Sequence, residues 1–111
     1  MVNIEAEIKS IIQSKLQNAK IVNASNEKQQ VNFDLVGDII KVSEGDKLEI
    51  IVDKKKPENI DVYDFCGHGY LVKPEKESKI TILSLWGIVF QFDPPIGLEE
   101  NTKYYLCLRK I

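Results

Sequence analysis

Alternation of apolar and polar side chains with a period of two is the feature that most constrains this chain. Residues 2–8 alternate in this way, and residues 31–36 do the same. Such a pattern predicts strands that bury one face. Ile11 and Ile12 break the first alternation, so we expect a bend or bulge after Lys9. Because no stretch keeps a helical period, the sequence predicts an all-β fold.

Several further segments have the composition of strands. They are residues 19–24, 47–53, 60–72 and 103–111. Residues 79–93 form the longest apolar stretch and fit either one bent strand or two strands joined near Trp86-Gly87. Both of its faces are apolar, so we expect burial on both sides. Within residues 60–72, two glycines predict a bulge or a close approach of another backbone.

Polar and Pro-containing segments separate the predicted strands. KKKPEN at residues 54–59 and KPEKES at residues 73–78 are expected to be exposed, charged loops. About seven to eight short strands with such turns fit a sandwich or a small closed antiparallel barrel. Closure hides strand edges, so we favour a barrel, with residues 1–111 forming a single domain.

The charge balance bears on the class of partner. The chain has 15 basic and 17 acidic residues and a net charge of −2. Proteins that bind nucleic acid through its phosphates are usually basic, so direct nucleic-acid binding is disfavoured. The chain has no run of about 18 apolar residues and no signal-peptide pattern at its start. We therefore expect a soluble, cytoplasmic protein.

Cys66, His68 and Cys107 are the residues that most resemble a chemical site. A thiolate with a histidine can form a nucleophile and base pair. Two cysteines and one histidine are too few for a four-ligand zinc site, and no acidic partner stands at ligand spacing. We predict a structural role, with both cysteines reduced and with no catalytic, metal or cofactor site. The alternative is a small metal or thiol enzyme built on these three residues.

Aromatic side chains are frequent in the predicted strands. They are Tyr63, Phe65, Tyr70, Trp86, Phe90, Phe92, Tyr104 and Tyr105. Most should belong to the core or to a protein interface. The alternative is a free single-stranded nucleic-acid-binding barrel, in which such rings stack on bases.

The order and spacing of five sequence blocks resemble RNA polymerase subunit eight, whose archaeal version is called the G subunit. The similarity covers roughly residue 30 to the end, and extends more loosely to the first strand. The blocks are VNFDLVGDI, VSEGDKLEIIV, DFCGHGYLVKPE, ITILSLWGIVFQFD and LEENTKYYLCLRKI. No single block is a specific motif, but together they are distinctive. The short loops at residues 54–59 and 73–78 resemble the archaeal rather than the eukaryotic version.

The resemblance implies a barrel of the oligonucleotide-binding type without catalytic residues. It implies a monomer within a hetero-oligomer, held mainly against the largest polymerase subunit and without direct specific contact to nucleic acid.

Five residues are candidates for the interface with partner subunits. Gly67, Tyr70, Gly87 and Tyr105 match family positions. Trp86 joins them, and Tyr70 is favoured with it, because amphipathic aromatic residues often anchor interfaces. For Gly67 and Gly87 we expect a close approach of another backbone.

Overall fold

The computed structural model describes residues 1–13, 18–36 and 40–111, and these form a closed antiparallel barrel of eight strands. The strands are β1 (Val2–Gln13), β2 (Ala19–Ser25), β3 (Gln30–Val36), β4 (Lys47–Asp53), β5 (Phe65–Leu71), β6 (Thr81–Leu85), β7 (Ile88–Asp93) and β8 (Tyr104–Lys110). Around the barrel their order is β1-β2-β3-β7-β6-β5-β8-β4. The prediction of an all-β closed barrel is confirmed.

The long first strand closes the barrel. Its beginning pairs with β4 and its end with β2, so β1 belongs to both sides of the sheet. The register shifts between Ile8 and Ser10, which confirms the bend or bulge expected after Lys9. Ile4 and Ala6 are buried while Glu5 is exposed, as the period of two requires.

Apolar side chains fill the interior of the barrel. Phe33 and Phe90 lie opposite each other in the β3–β7 pair and stack with ring centroids 4.8 Å apart. The largest fully buried side chains are Ile8, Val22, Val31, Leu48, Ile50, Val52, Leu83, Leu85, Phe90, Phe92, Leu106 and Leu108. Burial of each such side chain contributes roughly 1.5–3 kcal/mol. The core therefore accounts for the alternation seen in the sequence.

Residues 79–93 form two strands rather than one bent strand. Leu85 pairs with Ile88, so the intervening Trp86 and Gly87 make a two-residue hairpin turn. The inward positions are odd-numbered in β6 and even-numbered in β7. Apolar residues at odd positions in β6 and at even positions in β7 therefore reach the same interior. The expectation that both faces of this stretch are buried is wrong, because Ile88 and Val89 are only half-buried and Gln91 is exposed.

Three glycines have different structural roles. At Gly69 a Cβ would lie 1.7 Å from the backbone oxygen of Ser84, so this glycine allows β5 to approach β6. At Gly67 the nearest atoms are side chains, and at Gly87 nothing lies within 4 Å. The close backbone approach predicted at Gly67 and Gly87 is therefore wrong. Gly87 instead provides the positive φ of 95° that the turn needs.

A one-turn helix, α1 (Glu75–Ser78), interrupts the segment predicted to be a charged loop at residues 73–78. Glu75 explains why this turn is ordered, because its carboxylate accepts hydrogen bonds from the Thr81 hydroxyl and, at 3.0 Å, from the Leu98 amide. The Thr81 hydroxyl accepts in turn from the Ile96 amide at 2.9 Å. This network ties the start of β6 to the connector before β8.

The segment at residues 60–72 starts with a single turn of 3-10 helix, Ile60–Val62, and becomes a strand only at Phe65. The turn is exposed, and the charged loop before it is exposed as predicted apart from a half-buried Pro57. In the parts of the chain that the structure describes, no helix has the length and apolar character needed to cross a membrane.

Candidate interaction surface

The two cysteines lie opposite each other on neighbouring strands, Cys66 exposed and Cys107 fully buried. Cys66 in β5 pairs with Cys107 in β8, with their Cα atoms 4.1 Å apart, and the structure joins them by a disulfide. The prediction that both cysteines are reduced is therefore wrong. The two residues are 41 positions apart in the sequence, and only the strand register brings them together.

The disulfide also bears on the thiol-enzyme alternative. A cysteine acts as a nucleophile or metal ligand through its thiolate, and a disulfide supplies none. Among residues 1–13, 18–36 and 40–111, no three His, Cys, Asp or Glu side chains are grouped as a metal site would require. Within the described ranges, one ionisable group is clearly perturbed: a hydrogen bond from Lys9, reinforced by the Lys9 charge, lowers the pKa of Glu7. That exposed pair lies on β1, far around the barrel from Cys66.

Histidine and aromatic side chains lie together beside the disulfide. The ring of His68 contacts Tyr105 edge-on at 5.7 Å and Trp86 at 6.1 Å between centroids. Tyr70 follows two residues after His68 in β5 and so projects from the same side of the sheet. We call the outward side chains of His68, Tyr70, Trp86 and Tyr105 the aromatic face.

Trp86 has the most unusual conformation and exposure on this face. It is 86% exposed and has a φ of 53°, in the left-handed region that bulky residues rarely adopt. Positive φ at both Trp86 and Gly87 is typical of the type I′ hairpin turn, which usually has Asn-Gly at these two positions. The turn therefore presents a large apolar side chain at a site where a small polar one would suit the backbone better.

Tyr70 and Tyr105 extend the aromatic face on either side of His68. Tyr70 is 51% exposed and lies opposite Ser84 in the β5–β6 pair. Tyr105 is half-buried, and the ammonium group of Lys103 lies 5.2 Å from the centre of its ring. A cation at this distance is attracted to the face of the ring. Lys103 thus adds a positive charge to the edge of an otherwise uncharged surface.

The five residues singled out in the sequence divide into two groups. Tyr70, Trp86 and Tyr105 come together on the aromatic face, whereas Gly67 and Gly87 shape the backbone beneath and beside it. The sequence pattern indicated His68 only as a possible ligand, although it connects the aromatic residues. Its position two residues before Tyr70 on the same strand was the signal for this role.

Most of the other aromatic residues belong to the interior. Phe90, Phe92 and Tyr104 are buried, while Tyr63 and Phe65 are half-buried. The expectation was that most of the aromatic residues belong to the core or to a protein interface. The core part is confirmed for Phe90, Phe92 and Tyr104, and the interface part stays a prediction.

Comparison with known proteins identifies the family. The family model for the G subunit of DNA-directed RNA polymerase matches residues 1–111. DNA-directed RNA polymerase subunit Rpo8 of Saccharolobus solfataricus is 36% identical, over 96% of this chain and 91% of the relative. The Saccharolobus shibatae protein of the same name is 32% identical, over 97% of this chain and 82% of the relative. The chain therefore belongs to the G-subunit family of DNA-directed RNA polymerase, and it is a component of that enzyme rather than a catalytic unit by itself.

Proposed function

We propose that this chain is a structural subunit that docks on the largest subunit of an archaeal RNA polymerase and supports DNA-templated transcription. Residues 1–111 act as one barrel domain, present as a single copy in the hetero-oligomer. The assembly works in the cytoplasm, and the barrel makes no specific contact with nucleic acid.

The aromatic face is the observation that carries this proposal. An isolated barrel gains little from a tryptophan that is 86% exposed and held in a left-handed conformation. Tryptophan and tyrosine are enriched among residues that carry most of the binding energy at protein interfaces. Trp86, Tyr70 and Tyr105 therefore have the chemistry and the placement of interface anchors.

Single-stranded nucleic acid is the alternative occupant, because exposed aromatic rings on a small barrel can stack on bases. The excess of 17 acidic over 15 basic residues disfavours it, since phosphate binding draws on clustered positive charge. Binding of that kind would weaken steeply with salt, which gives a direct means of separating the two functions.

The experiment is a tagged pull-down from native extract, followed by a high-salt wash and mass spectrometry. We expect near-stoichiometric recovery of the large polymerase subunits with the unchanged chain. Trp86→Ala combined with Tyr70→Ala should lose them, whereas Ile12→Ala, which removes a 54% exposed apolar side chain from β1, should retain them. Recovery of nucleic acid in place of polymerase subunits would refute the docking function.

A further inference from the structure

A shallow depression of about 340 Å³ adjoins the aromatic face and shares His68 and Tyr105 with it. Its apolar lining includes Ile60, together with the cysteine pair Cys66–Cys107. One side of the depression comes from the loop after β4, and the other from β5 and the start of β8. A partner segment lying across the aromatic face would therefore reach the depression without a gap.

Two lysines give the depression its charge. Lys56 and Lys103 both line it and both are exposed. Four lysine or arginine side chains of the described residues form ion pairs, and these are Lys9, Lys54, Arg109 and Lys110. Neither Lys56 nor Lys103 is among them, so no carboxylate of the described residues pairs with either ammonium group, although that of Lys103 lies over the Tyr105 ring.

The acidic residues near these lysines in the sequence form no ion pair with them. Glu58 and Asp61 follow Lys56, and Glu99 and Glu100 precede Lys103, but none of the four lines the depression and Glu99 pairs with Lys54 instead. The depression thus combines an apolar floor with two unpaired positive charges, in a protein whose net charge is −2. The complementary ligand carries a carboxylate next to apolar side chains.

We infer that this lysine-rimmed depression receives an acidic side chain, flanked by apolar residues, from the polymerase subunit that contacts the aromatic face. The inference rests on the proposed docking and adds the chemistry of the docked segment. The apolar side chains of such a peptide would pack on the apolar floor, and its carboxylate would pair with the two lysines. A nucleic-acid strand would use only the charges and the rings, and the acidic chain as a whole repels it.

Zero-length carbodiimide cross-linking of the assembled polymerase tests this directly. The reagent activates a carboxylate, the amine of a lysine in contact attacks it, and an amide bond forms as the urea by-product leaves. We expect cross-links from Lys56 or Lys103 to an aspartate or glutamate with apolar neighbours in another subunit. Absence of such links, when other lysines of this chain do cross-link to partners, would overturn the inference.

Affinity measurements separate failure of this inference from failure of the docking proposal. Labelled chain is titrated with polymerase reconstituted from its other subunits, at 0.1 M and 0.5 M salt. Lys56→Glu with Lys103→Glu should weaken binding about tenfold or more at low salt and less at high salt. Lys20→Glu with Lys28→Glu, which reverses two exposed charges on and after β2, should leave affinity unchanged.

Each remaining outcome has one meaning. If Trp86→Ala abolishes binding and the Lys56 and Lys103 reversals have no effect, docking stands and the acidic segment is refuted. If neither set of variants affects binding, the aromatic face is not the docking surface and the acidic segment is refuted. Tight binding of a single-stranded oligonucleotide that is lost on reversing Lys56 and Lys103 would make nucleic acid the occupant and overturn the inference.

Discussion

Replacing Trp86 by Asn should separate the stability of the barrel from its docking. Trp86 precedes Gly87 in a two-residue hairpin, with a φ of 53°. A left-handed conformation costs an ordinary residue about 1–2 kcal/mol, and Asn adopts it more readily. Trp86 is 86% exposed, so its removal loses little buried area. The main loss is the edge contact with His68, which contributes about 0.5 kcal/mol. The free energy of unfolding should therefore rise by about 0.5 kcal/mol.

The same substitution should weaken association with polymerase. Truncating an anchor residue of this type costs about 2 kcal/mol or more, which is about thirtyfold in Kd. Stability is measured by urea unfolding and by Tm, for which we expect an increase of about 2 °C in a domain of this size. Association is measured by titration against polymerase lacking this subunit.

Gly87→Ala is the matched control for the Trp86→Asn variant. It keeps the tryptophan but places a side chain at a φ of 95°, so it should destabilise the isolated chain by about 1 kcal/mol. If Trp86→Asn lowered the stability of the isolated chain, the argument from turn geometry would be wrong. If it left association with polymerase unchanged, Trp86 would not be a docking anchor.

Three further changes test the packing of the barrel. Gly69→Ala puts a Cβ 1.7 Å from the Ser84 oxygen, so the β5–β6 pair must separate and urea unfolding should show a loss of about 2–4 kcal/mol. Reduction of the disulfide between Cys66 and Cys107 frees a loop with a sequence separation of 41, and the chain-entropy relation gives a loss of about 4 kcal/mol in the free energy of unfolding. Glu75→Ala leaves the Leu98 amide without its acceptor and should cost about 1–3 kcal/mol, again by urea unfolding.

Each of these changes has its own control. Gly67→Ala, whose Cβ would meet the ring of Phe65 at 3.1 Å, should cost less than Gly69→Ala, and equal losses would contradict the role given to Gly69. Reductant should not change the free energy of unfolding of a variant with both cysteines changed to Ala. If reductant also left the stability of the native chain unchanged, the disulfide would not contribute to stability. Glu77→Ala removes an exposed carboxylate of the same helix and should be nearly neutral.

Alternation in the sequence was sufficient to predict the strands, including the first, whereas the barrel was favoured over a sandwich because closure hides strand edges. Ile4 and Ala6 face inward because a strand turns successive side chains to opposite faces, and this property is local. The bulge at Ile8 and Ser10 was visible as a break in the same local pattern. The turn at Trp86-Gly87 was one of two alternatives that the sequence left open, the other being a single bent strand.

Contacts between distant segments could not be predicted in this way. The pairing of Cys66 with Cys107 depends on the register between β5 and β8, which alternation alone leaves open. The helix containing Glu75 is only one turn long, too short to show a period, and its contacts with Thr81 and Leu98 come from tertiary structure. Local charge alone therefore led to the prediction of a loop there.

Strand β5 joins the packing of the barrel to its proposed docking surface. Gly67 and Gly69 face the interior, where lack of a side chain lets β5 lie close to Leu85 and Ser84. The alternate residue His68 lies on the outside and holds the aromatic face together. A side chain added at Gly69 should therefore change stability and docking together, because it displaces the strand that positions the face. Trp86→Asn should change them in opposite directions, because the turn determines stability there while the exposed ring determines docking.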